Sequence, residues 1–255
     1  MLSSVVFPLA IPAARAQSNI PVYATIGPEA APILRVLVGD ARLIPVEPGM
    51  LGTVLRTKKF AAIFASRDWM GQDDLRAAYA ASKARLFWLQ REVTVASIES
   101  NISTVAQATG TMDAGLRWAA NIQAGLDRIR QEVHGQTTSR VLILTPEGYT
   151  AGQGALITEL IALAGGVNVA AEAGIPDARD VDDSQIRQFA PEVVLLMDWT
   201  TQSASISTLA YNPAYRGIAA FDRFRLYPFT LPANDPSRLV ATVQGIVDLI
   251  HPQEF

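Results

Sequence analysis

From Asn19 onward, apolar runs of strand length alternate with stretches of helical period, an order that confines the chain to an α/β fold with largely parallel sheets. The first half supplies four candidate strands, Ile20 to Thr25, Arg42 to Val46, Phe60 to Ala65 and Arg85 to Leu89, each short and rich in branched or aromatic residues. Helical stretches separate them, as at Glu29 to Val38 and Asp73 to Ser82. The second half restarts the pattern, with strands at Arg140 to Leu144, Glu192 to Met197 and Phe224 to Pro228. Its helices run from Gly154 to Leu163, closed by Gly165 and Gly166, and from Pro236 to Ile250.

Between the halves, Asp113 to His134 sets Leu116, Ala119, Ala120, Ile122, Leu126, Ile129 and Val133 at helical spacing without a proline. Globular helices average about three to four turns, so a longer one at mid-chain predicts a rigid spacer between two lobes. An ordinary long helix packed on one sheet would show the same period. At 255 residues, 49% hydrophobic, the chain can bury a core in each of two lobes. The expected division is an N-terminal lobe over 17–111, a linking helix over 112–135 and a C-terminal lobe over 136–255.

A net charge of −3 leaves no basic footprint for a phosphate backbone, so no nucleic-acid partner is expected. With no cysteine, disulfides, thiolate metal sites and a cysteine nucleophile are excluded. Met1 to Pro12 form a short apolar stretch, and Ala14-Arg15-Ala16 has the small-x-small pattern of a signal-peptidase site. Residues 1–16 are thus expected to be a signal peptide, although no Lys or Arg precedes the apolar run. A packed N-terminal strand or helix is the alternative. The stretch is too short to span a bilayer, which takes about 20 apolar residues, and no later segment reaches that length without charges. The expectation is a free periplasmic monomer with no membrane span and no lipid anchor.

The order of motifs in the second half resembles a known family. Arg140 to Thr145, then Gly148 to Gly152, a helix, Ala164 to Ala170, and finally Gln185 to Leu196 are similar to the C-lobe of class III substrate-binding proteins of ABC importers. Those proteins serve importers of ferric siderophores, haem and cobalamin. The first half fits more loosely, through Gly27-Pro28-Glu29, Val38-Gly39-Asp40 and the strand from Lys59 to Ala65. The resemblance implies two α/β lobes joined by one long helix, a ligand held between them, little closure, and delivery to a permease and its ATPase subunit. It also implies one acidic docking residue on each lobe. Asp182 and Asp183 lie at the C-lobe position; on the N-lobe Thr53 to Arg56 departs from the family in lacking the glutamate, so either the docking geometry differs or Glu47 takes the role.

In parallel α/β sheets, ligands gather at the carboxyl ends of the strands. That rule selects Glu29, Met50, Arg67, Trp69 and Arg91 in the first half, and Tyr149, Trp199 and Phe229 in the second. Trp69 and Trp199 each stand beside an aspartate and offer flat apolar walls to a bulky, partly aromatic chelate, or else each plugs the end of a core. Arg67 could neutralise an anionic chelate with its guanidinium fork, or pair with Asp68 or Asp198; Arg91 is the weaker alternative. Tyr149, flanked by glycines, could donate its hydroxyl to the ligand, bind iron as phenolate, or simply pack.

Only His134 and His251 exist, both away from the strand ends, which disfavours a bare zinc or manganese cargo and histidine-ligated haem. No cofactor or resident metal is expected. An enzyme on an α/β scaffold is the rival class, but there is no G-x-S-x-G elbow, P-loop or G-x-G-x-x-G, and no catalytic residue is assigned. The paired carboxylates Asp73-Asp74 and Asp182-Asp183 read as helix caps before they read as catalysts. A ferric siderophore is the expected cargo, with haem or cobalamin as alternatives.

Overall fold

The computed structural model describes residues 20–39, 42–80, 85–197, 203–231 and 235–252. The expected signal peptide, residues 1–16, lies outside the described residues. The first lobe runs β1 (Tyr23–Ile26), α1 (Ala30–Val38), β2 (Leu43–Pro45), α2 (Leu51–Thr57), β3 (Ala62–Ser66), α3 (Gln72–Ala80), β4 (Arg85–Leu89) and α4 (Val95–Thr109). Its four strands pair in parallel in the order β2-β1-β3-β4. The long helix α5 (Met112–Glu132) follows.

The second lobe begins with β5 (Ser139–Leu144), β6 (Tyr149–Thr150), α6 (Leu156–Leu163), β7 (Gly166–Asn168), α7 (Val169–Glu172), β8 (Arg179–Asp180) and α8 (Asp183–Phe189). It ends with β9 (Val193–Met197), α9 (Ser203–Ala210), α10 (Ala219–Asp222), β10 (Leu226–Phe229) and α11 (Leu239–Ile250). A second parallel sheet has the order β10-β9-β5-β7, and the short β6 and β8 pair antiparallel beside it.

Side chains on a strand alternate between faces, and here the alternation sorts the apolar residues into separate cores. Tyr23, Phe64, Val141, Ile143, Val193 and Leu195 all point into one large cluster that also takes Ile33, Ile102, Leu126, Leu160 and Val243 from the helices. That cluster draws on both lobes. Their neighbours one residue along the strands go to the outer faces, Ala24 and Ile63 in the first lobe and Leu142 and Val194 in the second. Lobes that share a core move against each other only at the cost of opening voids in close-packed interior.

Helix α5 joins the lobes through two glycines. A Cβ on Gly115 would stand 2.5 Å from the Cβ of Ala106 on α4, and one on Gly125 would stand 2.7 Å from Val240 Cγ1 on α11. The helix therefore meets the first lobe early in its length and the second lobe late. Gly125→Val should lower unfolding stability by about 1–3 kcal/mol in urea titrations, because a branched side chain there would overlap both methyls of Val240. Ala124→Val, one residue away on the exposed side, should cost only the helix penalty of a branched residue, about 0.5 kcal/mol.

Candidate functional site

Parallel pairing sends the carboxyl ends of all four strands in each main sheet to one side. From those ends, β1 leads into Gly27 to Glu29, β2 into Glu47 to Met50, β3 into the 3-10 turn Arg67–Trp69, and β4 into Gln90 and Arg91. In the second lobe β5 leads into Thr145 to Tyr149, and β10 ends at Phe229. Contacts close to these segments tie the lobes together. Arg91 lies 3.9 Å from Asp177, the Val95 amide at the start of α4 donates to Glu159 Oε2 at 2.8 Å, and α1 packs on the turn Pro236–Arg238. Several strand-end segments thus lie near the junction of the lobes.

Large apolar side chains are left uncovered on these segments. Trp69 is 48% exposed, Met50 48% and Tyr149 45%. Trp69 is seated by Gly27, which has φ 92° and carries no side chain: a Cβ there would lie 3.1 Å from Trp69 Cδ1 and 2.9 Å from Glu29 Oε2. Met50 opens α2, and its turn is pinned by the buried Asp74, which accepts from the Gly49 amide at 2.5 Å and the Leu51 amide at 3.1 Å. Asp74 therefore caps α2, not the helix it sits on. Tyr149 is held by its backbone, pairing with Asp180 across β6 and β8 and exchanging hydrogen bonds with Thr145. Phe229 is half-buried and packs against the shared core.

Glu29 lies beneath this surface at 4% exposed, with Oε2 lacking a hydrogen-bond partner. Burial pushes its carboxyl up from the usual carboxylate range; its own backbone amide and the Ser66 hydroxyl oppose this, and the Asp68 charge adds to it. Arg67 opens the 3-10 turn, but its side chain lies outside the described part of the molecule, as do Asp198 and Trp199.

The profile of the family described as "Periplasmic binding protein" matches residues 62–228. The chain belongs to the periplasmic binding protein family. This is a family of binding proteins, not of enzymes, and it places the chain in the periplasm. No curated protein matches by sequence. Among solved structures, the apo periplasmic heme-binding protein RhuT from Roseiflexus sp. RS-1 superposes with TM-score 0.74 at 18% identity, covering 91% of this chain and 100% of its own. A periplasmic heme-binding protein from Pseudomonas aeruginosa gives TM-score 0.72 at 14% identity, covering 92% of this chain and 94% of its own. Helicobacter pylori CeuE with Ni(II) bound gives 0.69 at 16%, covering 92% and 85%. At these identities the likeness fixes the fold.

The acidic residues of this binding protein are engaged locally. Asp182 is the N-cap of α8, accepting from the Gln185 amide at 2.8 Å while the Gln185 side chain accepts from the Asp182 amide. Asp183 accepts from the Tyr215 hydroxyl at 2.6 Å. Glu47 is exposed, its backbone carbonyl closing the turn onto the Met50 amide at 3.0 Å. Helix α8 leads into the first residues of β9, so its own start, with Asp182 and Asp183, lies toward the carboxyl end of the second sheet's strands.

One residue went unread in the sequence. Glu92, three residues beyond β4, is 8% exposed, and neither carboxyl oxygen has a hydrogen-bond partner. Burial pushes it up to about 7, Asn101 opposes, and the charges of Glu29 and Asp235 add to the push. No motif marks it. Only its neighbourhood, contributed from both lobes, sets it apart from any other glutamate.

Proposed function

We propose that this periplasmic binding protein carries a ferric siderophore in the cleft between its lobes and hands it to the permease of an ABC importer. The observation that supports the reading is that Trp69, Met50 and Tyr149 stand uncovered after strand ends of two lobes that share a core. Flat apolar walls suit a bulky chelate, which shields its own metal and asks the protein for surface, not ligands. The histidines agree with this: His251 bonds the Ala164 carbonyl at 3.0 Å near the end of α11, and His134 is exposed just past α5, so neither faces the cleft. Arg91 forms only a long, exposed pair with Asp177, which leaves its guanidinium available to an anionic ligand. Arg67 and Trp199 are assigned to the same wall on sequence grounds, with Glu29 and Phe229 backing it from below. Asp182, Asp183 and Glu47 are assigned to permease docking, since they lie at the cleft ends of their lobes.

Haem is the second reading, favoured by Tyr149, an uncovered phenol at the cleft that can serve as an iron ligand. It is favoured also by the heme-binding neighbours of the same fold. Titrating tryptophan fluorescence with a ferric trihydroxamate, a ferric tris-catecholate and haemin separates the two. Saturable quenching by a siderophore, with no Soret shift on adding haemin, is the expected result. Binding of haemin alone, lost in Tyr149→Phe, would replace the first reading with the second. No binding of any of the three would contradict both.

A further inference from the structure

The lobe junction holds an ionisable group that neither cargo nor docking explains. Glu92 sits in a narrow crevice walled by Ile98 of α4 from the first lobe and by Leu156, Leu160 and Leu239 of α6 and α11 from the second. Asp235 lines the same crevice from the segment before α11. Both Glu92 oxygens are buried without a partner in this apolar seam. The Asn101 side-chain amide beside it is held by Gln90, donating to its carbonyl at 2.9 Å and accepting from its amide at 2.8 Å, and it opposes the rise of the Glu92 carboxyl.

We infer that Glu92 is a proton-dependent brace at the lobe junction, letting the lobes pack when it is protonated and loosening them when its proton leaves to solvent. The surroundings give the direction. Glu29 faces it from the β1–α1 turn, with Asp68 behind Glu29, and Asp235 faces it from the second lobe. Glu159 of α6 is close by, its Oε2 on the Val95 amide, and the remaining polar neighbour on α11 is Thr242. Arg91, the cation beside it in sequence, is directed to Asp177. An ionised Glu92 would therefore sit among like charges on both sides of the seam, with the Asn101 side-chain amide opposing them. Separation of the lobes, which admits water, is the relief available. The transition falls near neutral pH, since burial holds this carboxyl at about 7. The inference concerns the junction and does not depend on which cargo binds.

The chain has no cysteine, so spin labels on Lys58→Cys and Gln188→Cys, exposed sites on the two lobes, report the inter-lobe distance without interference. Between pH 5.5 and 8.5 the distance distribution of the cargo-free protein should lengthen or broaden, and Glu92→Gln should hold the low-pH distribution throughout. Asp235→Asn removes one facing charge yet keeps an N-cap for the turn Pro236–Arg238, and should move the midpoint to lower pH. A distribution that ignores pH overturns the inference, as does a pH change that survives Glu92→Gln. Should that variant fail to fold, a midpoint unmoved in Asp235→Asn overturns it equally.

Discussion

Trp69→Ala is expected to weaken cargo binding about ten- to a hundredfold while leaving the melting temperature nearly unchanged. The ring is close to half uncovered in the free protein, so the folded chain loses little contact when it is removed. A bound chelate would cover that surface, and burying one aromatic face contributes about 1.5–3 kcal/mol, each 1.4 kcal/mol being a factor of ten. Fluorescence titration of the variant through its remaining tryptophans, beside a thermal melt, measures both quantities. A variant that melts much earlier would show the ring to be a core plug, the alternative left open by the sequence. Unchanged affinity would remove Trp69 from the site.

Glu92→Gln should raise stability at pH 8 by on the order of 2–3 kcal/mol and leave it unchanged near pH 4. The folded carboxyl is raised to about 7, whereas in the unfolded chain it titrates near 4.5. Below the unfolded value both states hold the proton, and its contribution to folding is fully present. As pH rises toward 7 the unfolded chain releases the proton and the folded chain does not, so stability is lost through that window and levels off above it. Every pH unit between the folded and unfolded values corresponds to about 1.4 kcal/mol. Glutamine keeps the shape and cannot ionise, so the loss disappears. Urea titrations of both proteins at pH 4, 6 and 8 measure the difference, and a gap that is the same at all three would exclude this origin.

The two sheets were legible because apolar strand runs and branched residues mark them locally. Arg85–Leu89 matches its expected bounds, Val193–Met197 begins one residue late, and the long helix Met112–Glu132 lies within two residues of its expected ends. What was missed has physical reasons. Helix α4 buries Val95, Ile98, Ile102 and Val105, but Ser, Thr and Asn between them blur the apolar stripe, and its start is fixed by a capping box of Thr94 with Ser97. Strand β7 is three residues opened by Gly166, whose helix-ending neighbour Gly165 drew the reading to a terminus instead.

The site was legible to the extent that a strand-end rule can reach. It selected Trp69, Met50 and Tyr149, which the fold leaves uncovered, and Glu29, which the Gly27 turn tucks under the surface. It could not find Glu92, because nothing local distinguishes that residue. Its burial and its raised pKa come from Leu156, Leu160 and Asp235, distant in sequence and brought to it only when the lobes pack. Asp182 and Asp183 show the converse, a visible acidic pair whose carboxylates serve the helix start and Tyr215 in the folded chain.

Hydrogen exchange of the protein with and without a saturating ferric trihydroxamate tests the central claim most directly. Protection should appear together in residues 47–51, 67–70 and 145–150, the strand-end segments of both lobes. Protection confined to one lobe, or centred on the opposite end of the second lobe around Tyr211 and Phe224, would contradict a cargo held between the two.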